Sequence, residues 1–216
     1  SSLSISDVFD LRTADEVSHR PDELPSGMRL MLLDVLGDRP HSGAAAVASL
    51  VTARQDRSLV DDVNAAVSGG RAHDLMIETY RSLVSRPSAH AGYRPLLQAI
   101  ASADGSVVVH CTAGKDRTGW AIALLQWICG ATDAEVQADY LLSNAGMEVA
   151  YRPMLNAFAA EGGDAEALAD MIFVRPEYLD AAMSLQRRLH GGLDGYLRES
   201  LGLTAAEVDA LRTRLS

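Results

Sequence analysis

The spacing of apolar residues changes several times along the chain, and each change predicts an element. Ile5 to Leu11 sets Ile5, Val8, Phe9 and Leu11 in a short β-branched and aromatic run, the pattern of a strand. Thr13 with Glu16 three residues later has capping-box spacing and opens a short helix. Pro21, Pro25 and Gly27 mark a turn region, and Met28 to Val35 reads as a second strand. Gly37 to Gly43 is loop. Helical spacing then takes over, first from about Ala44 to Ala53. A second helix has a box at Ser58 with Asp61, carries Leu59, Val63 and Val67, and stops at Gly69-Gly70. A third spans about Ala72 to Val84, with Met76, Ile77, Tyr80, Leu83 and Val84 on one face, and Pro87 ends it.

Leu96 to Ala101 predicts a further helix and Asp104-Gly105 a turn. Val107-Val108-Val109 is short and wholly apolar, as in a parallel strand covered on both faces. Ten residues with little apolar character follow, then a helix to Cys129 that is apolar nearly all round and should be central. Gly130 caps it. Thr132 with Glu135 opens the next helix, Pro176 starts another that Gly191-Gly192 ends, and Thr204 with Glu207 starts the last, which carries Val208, Leu211 and Leu215 inward. The class is α/β: a central, mostly parallel sheet flanked by helices, with a helical second half and a single domain over residues 1–216.

Composition narrows the function more than the fold. Apolar residues make up 48% and charged residues 22% of 216, an ordinary globular profile. The net charge of −10 argues against nucleic acid as a partner, yet a local cluster of donors can still hold a small anion. Two cysteines, Cys111 and Cys129, cannot build a disulfide framework. No apolar run reaches the length of a membrane span, so stable membrane insertion is not expected, and the protein is assigned to the cytoplasm or to export from its cell.

The candidate chemistry lies in His110-Cys111-Thr112-Ala113-Gly114-Lys115-Asp116-Arg117-Thr118-Gly119. Its context is strand, tight loop and helix start. A loop that wraps a tetrahedral anion must aim successive N–H groups inward, and Ala113 and Gly114 let the backbone approach. Thr112 through Thr118 are the expected phosphate contacts. The loop ends at a helix N-terminus, which favours negative charge, and Arg117 offers a planar fork for two oxygens. The same field lowers the pKa of a thiol, so Cys111 is expected to be a thiolate that attacks phosphorus and forms a phosphocysteine. Thr118 would donate a hydrogen bond to the thiolate, and His110 would orient the loop through its ring nitrogens. A nucleotide P-loop is excluded, because Val109 and Asp116 stand where Gly and Ser or Thr are needed.

On this segment the chain resembles the protein tyrosine phosphatase superfamily, and within it the bacterial tyrosine and lipid phosphatases. The resemblance extends to Asp10-Leu11-Arg12, to the segment from Asp139 to Asn144, and to Arg175-Pro176-Glu177-Tyr178-Leu179, Tyr196-Leu197-Arg198-Glu199 and Leu201-Gly202-Leu203. Gly37 to about Arg71 matches least. The group carries a further strand and an Arg-Ser segment upstream, where this chain has Ser1-Ser2, which leaves the sheet edge open but not the loop. The resemblance implies phosphotyrosine in proteins and phosphoinositides as substrates, with no cofactor. It also implies that Asp116 inside the loop is the general acid, since the chain has no separate Trp-Pro-Asp loop; Asp34 and Asp38 are the rival acids. Lys115 would supply charge for extra phosphates.

Other residues have plainer readings. Cys129 is expected in the core. Asp10 and Arg12 are expected to orient the phosphate loop through hydrogen bonds. Asp139, Ser143 and Asn144 should brace helix packing. His41, His73 and His90 show no ligand spacing, so no metal is assigned. The helices between residues 37 and 85 are candidates for a lid. Two readings from other classes stand beside the enzyme: an inactive phosphate- or lipid-binding module, and a rhodanese-like sulfur carrier.

Overall fold

The computed structural model describes residues 4–38 and 57–215. The helix expected at Ala44–Ala53 lies outside the described residues. Strand β1 is Ile5–Asp10, β2 is Arg29–Leu32 and β3 is Ser106–His110. They form one parallel sheet in the order β2-β1-β3, with Val8 opposite Leu30 on one side and Val108 on the other. Parallel strands need crossovers, and helices supply them. Helix α1 (Ala14–His19) links β1 to β2; α2 (Arg57–Val67), α3 (Arg71–Ser85) and α4 (Pro87–Ser102) lie between β2 and β3.

After β3 the chain is helical: α5 (Arg117–Ile128), α6 (Asp133–Ala160), α7 (Ala165–Ile172), α8 (Pro176–His190), a π-helical turn over Tyr196–Ser200, and α9 (Ala205–Leu215). Thr13 with Glu16 and Thr132 with Glu135 form full capping boxes, as their spacing predicts. Pro176 takes the first position of α8, and Gly191 closes it at φ +71°. No helix among the described residues is long and apolar enough to cross a membrane.

Four expectations need correction. The second strand stops at Leu32 because Asp34 accepts a hydrogen bond from the Leu36 N–H at 3.0 Å, and the chain turns in to bury Leu33, Val35 and Leu36. Pro87 ends α3 but also begins α4, which runs well beyond Leu96–Ala101; Ala89, Gly92, Tyr93, Leu96, Leu97 and Ile100 form its buried stripe. Among the described residues strand β3 lies at the sheet edge, and its valines are only half-buried. Leu215 is exposed, while Leu211 is fully buried. Helix α3, within the segment named as a lid candidate, joins the main core through Met76, Tyr80, Leu83 and Val84.

The main core gathers Phe9 of β1 and Leu11 just after it, the inner faces of α3, α4 and α8, and Trp120, Ala121, Ala123, Leu124 and Ile128 of α5. Helix α5 is thus central, as its all-round apolarity implies. A second cluster joins Val60, Val63 and Val67 of α2 to Leu155, Phe158, Leu168 and Met171.

Gly92 is where α4 meets the chain leaving β2. An added Cβ would stand 2.5 Å from Val35 Cγ1, and Val35 is fully buried. Alanine would gain about 0.5–1 kcal/mol of helix propensity, but the overlap costs about 1–3 kcal/mol. Gly92→Ala is therefore expected to cost a net of up to about 2 kcal/mol, seen as a lower urea midpoint with an unchanged m-value. A midpoint at or above that of the wild type would show that the two segments do not pack this closely.

Candidate active site

Strand β3 ends at His110 and α5 begins at Arg117, so Cys111 to Asp116 must turn the chain between a strand end and a helix N-terminus. The turn passes through Gly114 at φ +70°, where a side chain would be strained. Cys111 is buried at the edge of the main core. No backbone N–H from Thr112 to Arg117 donates to a protein acceptor among the described residues. Thr112 and Gly114 are exposed, so the loop is open to solvent, and successive unpaired amides in such a turn can form a nest for an anion.

Arg117 is 2% exposed, and a buried guanidinium needs a partner. Glu16, from α1, supplies it: Nη1 donates to Oε2 at 2.6 Å and Nη2 to Oε1 at 2.8 Å. Nη2 also donates to Thr112 Oγ1 at 3.0 Å, and Thr112 donates to Glu16. Burial by itself would raise the Glu16 pKa, but the hydrogen bond and charge of Arg117, with Thr112 and the Thr13 N–H, bring it down to about 2. Burial likewise opposes the charge of Arg117, and Glu16 and Cys111 outweigh it, raising its pKa. Tyr93, fully buried on α4, fixes the start of α5 by donating to the Arg117 carbonyl at 3.0 Å.

Below the loop lies a second charged chain. Arg12 donates to Asp10 through its backbone N–H, Nε and Nη2, and Nη2 also reaches Asp22 at 2.8 Å. Burial works to raise the Asp10 pKa, yet Arg12 lowers it overall. His110 Nε2 lies 3.1 Å from Asp22 Oδ2, close enough for an ion pair though off a straight hydrogen-bond line, and its Nδ1 lies 3.3 Å from the Cys111 carbonyl. Arg12 and Asp10 therefore reach the loop through Asp22 and His110, not by bonding to it. Ligand atoms of Asp10, Asp22 and His110 lie within 4.8 Å of one another, the spacing of a metal site, but Arg12 already supplies the positive charge between the two carboxylates.

Asp116 is buried beside the loop. Lys115 Nζ donates to Oδ1 at 2.9 Å and to Oδ2 at 2.7 Å, and Tyr80 of α3 donates to Oδ1 at 2.8 Å. The rival carboxylates are occupied elsewhere. Asp34 takes the backbone N–H groups of Ala14 and Leu36; Asp38 takes the Ser88 hydroxyl and N–H. Neither has a hydrogen bond to the phosphate loop.

A model of the tyrosine phosphatase family matches residues 1–216. The chain belongs to the tyrosine phosphatase family. It is similar to the triple specificity protein phosphatase PtpB of Mycobacterium tuberculosis, 31% identical over 97% of this chain and 82% of that protein. It is also similar to a tyrosine-protein phosphatase of Nostoc commune, 29% identical over 96% of this chain and 65% of that protein. This phosphatase is cysteine-dependent, and neither a passive binding module nor a sulfur carrier is favoured.

Within the phosphatase, several sequence expectations shift. Thr118 makes no bond to the sulfur: its Oγ1 is buried without a hydrogen-bond partner. Lys115 is buried and paired with Asp116, not presented to solvent. Cys129 is exposed, because α5 ends at Ile128 and the next residue caps it at the surface. Asn144 braces helix packing as expected, exchanging two hydrogen bonds with the Val174 backbone. Sequence reasoning missed Glu16, Asp22, Tyr80 and Tyr140 as parts of the site. Glu16 was visible as a capping residue and Tyr80 as part of an apolar stripe, but neither pattern encodes a distant partner.

Folding lowers the Glu16 pKa from 4.5 to about 2, so its stabilisation is full above pH 4.5 and is lost as pH falls toward 2. Discounted for solvent screening, the contribution is on the order of 2 kcal/mol. Between about pH 5 and about pH 2, wild type should lose that much more stability than Glu16→Gln in denaturant titrations. Parallel pH curves for the two proteins would mean that the ion pair does not form in solution.

Proposed function

We infer that the phosphatase removes phosphate from phosphotyrosine in proteins, with Cys111 as nucleophile and Asp116 as general acid. The observation that carries this reading is the run of unpaired amides from Thr112 to Arg117, curled beside a buried cysteine and ending on a guanidinium whose terminal nitrogens are held by Glu16, Thr112 and the Leu11 carbonyl. Three non-bridging phosphate oxygens need such a cradle of donors, and charge that builds on them in the transition state is best met by dipoles already in place.

The thiolate of Cys111 attacks phosphorus in line. The P–S bond forms as the bond to the leaving oxygen breaks, and Asp116 gives that oxygen a proton. Water then attacks the phosphocysteine, Asp116 takes the water proton back, and the P–S electron pair returns to sulfur. The unpartnered hydroxyl of Thr118 is free to donate to that sulfur as it departs. No step requires a metal or cofactor.

Phosphoinositides are the second substrate class, and Lys115 is what favours them. While Asp116 is ionised its carboxylate neutralises Nζ. Once Asp116 carries the proton it will donate, Lys115 keeps a charge that a second phosphate can use. The name of the mycobacterial relative, a triple specificity phosphatase, is in keeping with more than one substrate class.

Wild type should hydrolyse aryl phosphates and Cys111→Ser should not, with vanadate protecting Cys111 from alkylation. Equal rates for the two proteins, or turnover of thiosulfate in place of aryl phosphate, would defeat the reading. Asp116→Asn should lose about a hundredfold or more on substrates with poor leaving groups. If Asp34→Asn or Asp38→Asn shows that loss instead, the acid is misassigned. Phosphate release from phosphotyrosine peptides and from inositol lipid vesicles, with wild type and Lys115→Met, separates the substrate classes: Lys115→Met should fall further on lipids.

A further inference from the structure

Asp116 is not served by the loop alone. Tyr80 is fully buried on α3, and its hydroxyl stands 2.8 Å from Asp116 Oδ1 and 2.7 Å from the hydroxyl of Tyr140, itself buried on α6. A phenol has one hydrogen. Since Tyr80 gives its own to Oδ1, Tyr140 must donate to Tyr80, and the two hydroxyls form a directed chain ending on one carboxylate oxygen. Burial and the nearby charge of Asp116 push both phenol pKa values up, so both stay neutral donors. Lys115 touches both carboxylate oxygens, whereas Tyr80 touches only one. An oxygen that accepts two donors is a poor place for a proton, and Oδ2 is the one left with room.

We propose that Tyr80, itself oriented by Tyr140, is the positioning residue that reserves Oδ2 of Asp116 for the proton delivered to the leaving oxygen. This rests on Asp116 being the general acid. In the first step the Oδ2–H bond breaks as the leaving oxygen takes the proton, and the carboxylate left behind keeps its Tyr80 bond on Oδ1. In the second step water returns a proton to Oδ2, so the hydroxyl chain never reverses. Helix α3, between β2 and β3, carries Tyr80 to the loop. Tyr80 also lies edge-on to Tyr140, with ring centroids 6.1 Å apart, and 5.9 Å from Tyr178, so its ring has little freedom to turn.

The test is a series of aryl phosphates running from good to poor leaving groups, assayed with wild type, Tyr80→Phe, Tyr140→Phe and Asp116→Asn. Tyr80→Phe keeps the ring and removes one hydrogen bond to a charged group, so kcat should fall about tenfold on the poorest leaving group and little on the best. Tyr140→Phe should show the same slope, reduced. In the Asp116→Asn background Tyr80→Phe should cost nothing further on poor leaving groups, because the two residues act on one proton. A purely structural role would instead lower kcat equally across the series. That result, or no loss at all, overturns the proposal while leaving Asp116 as the acid. If Asp116→Asn itself shows no leaving-group dependence, the acid assignment falls and the role of Tyr80 with it. Should Tyr80→Phe fold poorly, as thermal unfolding would show, the slope of Tyr140→Phe decides between the same outcomes.

Discussion

The structure turns on a buried guanidinium that has to be held by protein acceptors. Arg117 sits at the first position of the central helix, almost wholly out of water, where an unpaired cation would be too costly to keep. Glu16 meets that cost by gripping both terminal nitrogens. The pairing links the loop to the short helix after β1, and the capping box that starts this helix is made by the same carboxylate. One side chain therefore starts a helix and fixes Arg117.

Around that pair the site is built as two polar chains on opposite sides of the loop. One runs from Asp10 through Arg12 and Asp22 to His110, the residue before the nucleophile. The other runs from Tyr140 through Tyr80 to Asp116, just before Arg117. Each ends on a residue next to a reacting group, and each begins on an element far away in sequence. Between them the loop backbone makes few bonds of its own, which leaves its amides free for an anion. Rigidity is thus imported from side chains so that the main chain can stay unsatisfied until substrate arrives.

Much of this could be read directly from the chain. The capping boxes at Thr13, Thr132 and Thr204, the proline that starts α8 and the glycine that ends it are local devices, set by residues within one turn of each other. The loop itself is local too: Cys111, Gly114 and Arg117 lie within one bend, and the strand and helix on either side follow from their apolar patterns. The failures are non-local. Val107 to Val109 has the composition of a doubly covered strand, yet its neighbours in the sheet are set by the whole chain path, and it lies at an edge. Cys129 looked like core because it follows an apolar helix, but the helix ends one residue earlier and turns it outward. Arg71–Ser85 has the periodicity of any amphipathic helix, and nothing in that spacing says that Tyr80 meets Asp116.

The sequence by itself determined the strand, turn and helix around Cys111 to Arg117 and the α/β class, because each is written in residues that touch their chain neighbours. Only the tertiary structure decided who holds the machinery in place: Glu16 on Arg117, Asp22 on His110, and Tyr80 on Asp116. The physical reason is that a buried charge must find its counter-charge and donors somewhere in three dimensions. A single sequence records that such partners are needed without recording which of many carboxylates and hydroxyls the fold will bring within reach.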